Sequence, residues 1–168
     1  MKRLLITVLL LAGVTYATAE VKPFQVEKKY FLTYDKNTTC LVRHTKVYKN
    51  PKWIAKIEVR NGKTVYFSSP KSMFEFYHRP GKWFDVGVKN ERDFSKIVVT
   101  DYATVNPINA ETALYVYGSS ATSPAGDDLV AFENEAVAKK FAAEQNGKRV
   151  LKFNEVSDAL IRLLNGRI

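Results

Sequence analysis

The chain of 168 residues contains one cysteine, Cys40, and only two histidines and two methionines. A single cysteine cannot form an intrachain disulfide or a C-x-x-C metal clip, so a disulfide scaffold is excluded. With so few histidines there are few candidates for a catalytic triad, and no G-x-S-x-G, phosphate-binding loop, H-E-x-x-H or EF-hand loop occurs. Enzymes are therefore the weaker class, and we predict no catalytic residues.

Positive charge exceeds negative charge, since 26 Lys and Arg against 17 Asp and Glu give a net charge of +9. Such a charge suits anionic partners or surfaces. The basic residues are scattered and no nucleic-acid-binding module is present, so we expect no nucleic acid partner. With 46% hydrophobic residues, the composition is that of a folded globular chain and not of a coiled coil or a polytopic membrane protein.

Residues 1–19 have the pattern of a removable signal peptide. A short positive stretch precedes Leu4–Val14, an apolar run too short to span a bilayer, and small residues end at Ala19. We expect cleavage between Ala19 and Glu20 and, in a bacterium, a soluble periplasmic protein; an uncleaved anchor is the alternative. Val14 stands where a lipoprotein signal needs its cysteine, so we expect no lipid and no stable membrane anchor.

The apolar pattern of the remaining chain predicts two similar β-β-α-β units. They cover residues 40–104 and 105–156, with an N-terminal arm at 20–39 and a short C-terminal helix at 157–168. The predicted fold class is α+β, with small antiparallel sheets that are each covered by a helix.

In the first unit, alternating apolar residues predict a strand that ends at a hairpin through Asn61 and Gly62. A three-residue loop sets Ile57 opposite Val65, whereas a two-residue loop would turn Val65 to the wrong face. We therefore predict the longer loop, with Gly62 at a positive φ. A helix capped by Ser69 and a strand over Phe94–Thr100 complete the unit.

The second unit repeats this order, with strands at Leu114–Gly118, Leu129–Phe132 and Arg149–Phe153. Asn134 is the predicted N-cap of its helix, which ends by Gly147. The nine-residue spacing of Phe67 and Phe76 recurs at Phe132 and Phe141. The predicted core consists of Trp53, Ile57, Val65, Phe67, Phe74 and Val99 in the first unit and of Val116, Phe132, Val137, Phe141 and Leu151 in the second.

Cys40 and His44 form the one spacing that could carry chemistry. A thiolate and an imidazole four positions apart in a loop can meet at one soft metal ion, and copper(I) accepts such ligands readily. By spacing alone, a buried or unpaired thiol with an exposed histidine nearby explains the same residues, and we favour that alternative. Met73 fits a core position, and His78 fits a partly positive imidazole at the C-terminal end of a helix.

Short blocks of sequence between residues 40 and 156 follow one another in the order of a known family. They include Pro51–Ala55, Pro70–Phe74, Pro124–Gly126 and Gly147–Leu151, and together they resemble the NosL family of nitrous oxide reductase accessory proteins. The resemblance implies a periplasmic copper(I) protein that helps supply or assemble the copper centres of nitrous oxide reductase. The implied partner is that reductase or its assembly machinery, and the implied fold is two β-β-α-β repeats.

The chain departs from this family at the metal ligands. Family members typically show C-P-x-C-G-M, and this chain retains the first cysteine as Cys40 but has Arg43 for the second and Thr45 for the methionine. A further family methionine falls on Ala125. The resemblance thus implies a copper(I) site built on Cys40, for which the spacing makes His44 the most plausible second ligand. A metal-free NosL-like interaction module is the alternative.

Export is the first property that can be tested. The exported protein should begin at or near Glu20 and carry no lipid, because Val14 replaces the cysteine that lipidation requires. Intact-mass spectrometry of the exported form measures both. A lipid-modified N-terminus, or recovery only in the membrane fraction, would contradict this prediction.

Overall fold

A computed structural model of the protein describes residues 30–167. The predicted signal peptide, residues 20–29 of the predicted arm and Ile168 lie outside this range. Within it, the α+β class is confirmed: two small antiparallel sheets are combined with α-helices and short 3-10 segments. No helix among these residues is long and apolar enough to cross a membrane.

The strands and helices follow the predicted order, with one added strand. The strands are β1 (Ala55–Val59), β2 (Thr64–Phe67), β3 (Phe94–Thr100), β4 (Pro107–Asn109), β5 (Leu114–Ser123), β6 (Gly126–Phe132) and β7 (Arg149–Lys152), and the helices are α1 (Pro70–His78), α2 (Glu135–Glu144) and α3 (Asp158–Leu164). One sheet has the order β2-β1-β3-β4 and the other has the order β6-β5-β7. In both sheets the first strand of the unit lies between the second and the third. Strand β4 is an addition to the first sheet, and it was not predicted because it has only three residues and begins with proline.

The first hairpin has the register that the alternation predicts. Ile57 pairs with Val65 and Ala55 pairs with Phe67, which confirms the three-residue loop. Gly62 has a φ of +87° and the Val59 N–H donates to the carbonyl of Lys63 at 2.8 Å. This register keeps Ile57 and Val65 on the same face of the sheet, which a two-residue loop would not do.

The helices begin where their capping residues predict. The side chains of Ser69, Asn134 and Ser157 each accept a backbone N–H in the first turn of α1, α2 and α3. Gly147 follows α2, where a Cβ atom would lie 2.7 Å from a methyl carbon of Val116. The close approach of this loop to β5 therefore requires glycine.

Strand β5 is longer than predicted. The expected strand ended at Gly118, but pairing with β6 resumes at Thr122 and continues to Ser123. Gly118 adopts a φ of +74°, and the register of the ladder shifts between Tyr117 and Thr122. The glycine thus marks an irregularity inside the strand instead of its end, which is a common role for glycine in strands.

The repeated phenylalanine spacing corresponds to the same strand-to-helix contact in both units. The ring centroids of Phe67 and Phe76 are 5.6 Å apart, and those of Phe132 and Phe141 are 4.9 Å apart. In each unit the first ring lies on the second strand and the second lies on the helix, and both geometries are favourable for aromatic pairs.

Two residues of the predicted core are placed differently by the structure. Trp53 packs with Val116 and Phe132 of the second unit, because it belongs to a 3-10 turn before β1 and is not bound by the alternation of that strand. Val137 is 40% exposed, because α2 covers its sheet through Ala138 and the half-buried Phe141. In the described part of the arm, Leu32 and Tyr34 pack on the core without forming a regular strand.

Removal of a fully buried ring tests the core. Phe67→Ala should lower the free energy of unfolding by roughly 3–5 kcal/mol, because Phe67 has no exposed surface. Phe84→Ala is the matched control: this ring is 79% exposed, and its loss should cost less than about 0.5 kcal/mol. Chemical denaturation measures both, and equal midpoints for the two variants would refute the core assignment.

Candidate functional site

The motif residues form one tight turn at the edge of the first sheet. The Cys40 N–H donates to the carbonyl of Thr45 at 2.8 Å, and the His44 N–H donates to the carbonyl of Cys40 at 2.9 Å. The Leu41 N–H donates to the carbonyl of Tyr66 at 2.8 Å, which joins the turn to β2. We call residues 40–45 the motif turn. It holds the two predicted ligands, Cys40 and His44, in one short loop.

Cys40 lies inside this turn with no exposed surface. Its Sγ atom accepts the backbone N–H of Arg43 at 3.3 Å, and its neighbours belong to the larger hydrophobic core. A thiol in such surroundings is closed to reagents and ions in solution unless the turn opens.

His44 lies on the outer side of the same turn. The residue is exposed and its backbone is left-handed, with a φ of +57°. Histidine tolerates this conformation better than most residues, and the family motif has its glycine here. This arrangement agrees with the alternative interpretation of the spacing, in which a buried thiol has an exposed histidine nearby. In the range 30–167, no group of three or more His, Cys, Asp and Glu side chains is arranged to hold a metal.

Arg43 turns its side chain inward. The guanidinium Nη2 lies 3.1 Å from Glu75 Oε2 and 2.5 Å from Asn165 Oδ1, and Nε donates to Ser72 Oγ at 3.3 Å. A second guanidinium, that of Arg167, donates to Glu75 Oε1 at 3.0 Å, and the Glu75 side chain is only 3% exposed. The charge of Arg43 is thus paired, and the Glu75 pairing was not predicted from the sequence. Its only sequence signal is a glutamate on the buried side of a helix.

A second buried charge fixes the turn that contains Ala125. The Lys71 ammonium donates to the carbonyl of Ala125 at 2.6 Å and to that of Leu164 at 3.2 Å. Burial lowers the pKa of Lys71. One carboxylate oxygen of Asp128 accepts the backbone N–H of Lys71 at 2.7 Å, and the other accepts the Ser123 hydroxyl at 2.6 Å. Burial raises the pKa of Asp128. The position of the family's second methionine is therefore held by α1 and the C-terminal residues.

Met73 and His78 lie on α1, away from the motif turn in the chain. Met73 has no exposed surface, as expected of a core residue. The expectation of a partly positive His78 is wrong in direction, because burial lowers the pKa of the imidazole. Its Nε2 lies 2.8 Å from the carbonyl oxygen of Val156, and since a carbonyl only accepts, Nε2 carries the proton.

The chain is similar to one family in sequence and fold. A family model described as NosL matches residues 31–161. The crystal structure of the copper chaperone NosL from Shewanella denitrificans is 21% identical, with a TM-score of 0.67 over 78% of this chain and 98% of that chain. The solution NMR structure of apo-NosL from Achromobacter cycloclastes is 23% identical, with a TM-score of 0.46 over 64% of this chain and 87% of that chain. Among curated proteins, none matches.

The lowered pKa of His78 predicts a pH dependence of stability. Unfolded histidine takes up a proton near its ordinary pKa of about 6.5, whereas buried His78 resists it, so stability falls as the pH drops from about 7 through the folded-state pKa. His78→Gln should lose less stability between pH 7 and pH 5.5 than the wild type does. Denaturation midpoints at pH 8, 7 and 5.5 measure this, with parallel behaviour above pH 7 as the control. Equal losses on acidification would contradict the prediction.

Proposed function

The chain belongs to the NosL family, and on that premise we propose that it is an exported, periplasmic accessory protein that carries copper(I) for the maturation of nitrous oxide reductase. The observation that carries this proposal is the family match over residues 31–161, together with Cys40 at the first position of the family's cysteine motif. Copper(I) is cargo in this role. The protein binds and releases it, and catalyses no reaction.

Cys40 is the residue whose chemistry suits this cargo. A thiolate is soft and anionic, so it matches copper(I) in softness and offsets its charge. Met73, the other sulfur-containing residue of the described chain, is enclosed in the core. The imidazole of His44 can add a neutral nitrogen ligand. The hydrogen bond from the backbone N–H of His44 to the Cys40 carbonyl keeps both residues in the motif turn.

Two donors make a weaker site than the family's full motif would. A copper(I) ion bound by a thiolate and one imidazole keeps room for a further ligand. A receiving protein that supplies this ligand would draw the ion away, so incomplete coordination suits delivery more than storage. The nearby Arg43 opposes the cation less than its formal charge suggests, because Glu75 compensates it at 3.1 Å.

A metal-free interaction module is the second candidate, and two observations favour it. The Cys40 thiol has no exposed surface, and the side chain at position 43 is bound to Glu75. In this case the protein would serve nitrous oxide reductase maturation only through a surface that meets a partner.

Copper(I) titration of the reduced protein against a chromophoric competitor separates the two candidates. The wild type should retain copper(I) stoichiometrically, and Cys40→Ala should abolish retention because the thiolate is the principal ligand. Met73→Leu is the matched control: it removes the other sulfur from the described chain with little change in volume and should retain copper as the wild type does. His44→Asn should weaken retention in part, since asparagine tolerates a positive φ but lacks the imidazole.

Undiminished retention in Cys40→Ala would place the metal elsewhere. No retention in the reduced wild type would refute copper carriage and favour the interaction module. The role in maturation is tested separately: nitrous oxide reductase isolated from cells that lack this protein should be deficient in copper, and a full copper content would refute that role.

A further inference from the structure

Arg43 both covers the Cys40 thiol and holds the motif turn in place. Its backbone N–H donates to Cys40 Sγ at 3.3 Å, so the backbone of the turn lies directly against the sulfur. Its side chain reaches Ser72 and Glu75 of α1 and Asn165 after α3. Movement of Arg43 therefore affects the thiol directly.

The side chain of Arg43 is bound more firmly than a surface arginine. Its guanidinium contacts the carboxylate of Glu75, the amide oxygen of Asn165 and the hydroxyl of Ser72. The Glu75 side chain is 3% exposed and that of Arg43 is 26% exposed, so this pair is screened less than pairs in open solvent. Loss of Arg43 from the cluster would leave the buried carboxylate with Asn165 and the half-exposed Arg167.

The outer part of the motif turn is less enclosed than Cys40. Its outer residue, His44, is exposed and has a left-handed backbone, while Leu41 and Val42 are only partly buried. Within the described part of the chain, Arg43 is the residue of the motif turn that forms an ion pair with another element. The start of the turn stays bound to β2 through the Leu41 N–H, so release of the Arg43 side chain would free the outer part of the turn to lift from the thiol.

We propose that Arg43 is a latch on Cys40: its guanidinium, bound to Glu75, holds the motif turn closed over the thiol, and copper(I) reaches the sulfur only after this ion pair opens. The identity of the incoming ion rests on the proposed function, whereas the closure of the thiol does not. Arg43 is then a positioning residue, and the ion pair sets the rate at which the site loads.

The single cysteine makes the latch measurable without copper. In the reduced full chain under native conditions, Arg43→Gln should react with a chromogenic disulfide reagent at least about tenfold faster than the wild type, the change expected from losing a charge-assisted hydrogen bond. Arg43→Lys should fall between the two, because lysine keeps the charge but not the planar fork. The matched control is Arg79→Gln, which removes the ion pair with Asp158 (2.7 Å) and should react within about twofold of the wild type.

The denaturant dependence of the labelling rate distinguishes local opening from unfolding. Opening of the turn exposes little surface, so the rate for Arg43→Gln should depend weakly on denaturant, whereas labelling through global unfolding depends on it steeply. The latch is refuted if Arg43→Gln reacts as slowly as the wild type, if both glutamine variants accelerate equally, or if the acceleration has the steep dependence of unfolding.

Copper(I) loading gives the second readout. Transfer from a chromophoric donor should be faster for Arg43→Gln than for the wild type, with unchanged stoichiometry. Fast thiol labelling without copper uptake in any variant would support the latch and refute copper carriage. Copper uptake with unchanged labelling would refute the latch and support copper carriage, so the two proposals fail separately.

Discussion

The buried carboxylate of Glu75 is the constraint on which the candidate site depends. A carboxylate with almost no exposed surface is costly unless donors surround it, and here the donors come from Arg43, Asn165 and Arg167. These residues belong to the motif turn and to the segment after α3, while Glu75 itself lies on α1. The need to satisfy one charge therefore brings three distant parts of the chain together. This pairing attaches the Arg43 side of the motif turn to α1 and to the residues after α3.

The two β-β-α-β units share a strand order but use their helices differently. All residues of α1 from Pro70 to Phe76 are buried, because this helix lies against its own sheet, against β6 and against α3. In α2, Ala138 is the one buried residue. That helix covers its own three-stranded sheet and contacts the first unit where Phe141 packs against Tyr102, with ring centroids 5.5 Å apart. Helix α1, which packs against both sheets, also carries buried polar residues, including Lys71 and Glu75. The two helices thus differ in role: α1 joins the two sheets, whereas α2 is more exposed.

Local signals account for what was predictable from the sequence. The hairpin register follows from alternation and Gly62, and the helix starts follow from capping residues such as Ser69, because each depends on neighbours a few residues away. The direction of the Arg43 side chain was not predictable. Its partners Glu75 and Asn165 are 32 and 122 positions further along the chain, and no periodicity encodes such pairs. For the same reason Trp53 was assigned to the wrong half of the core.

The enclosure of Cys40 has a consequence for the chemical lifetime of the protein. In an oxidising compartment such as the periplasm we propose, an exposed lone thiol would form mixed disulfides with other chains or be oxidised to sulfenic acid. Susceptibility to both follows the accessibility of the sulfur, and Cys40 has no exposed surface. The closed motif turn therefore preserves the reduced sulfur that soft-metal chemistry requires, in surroundings that would otherwise consume it.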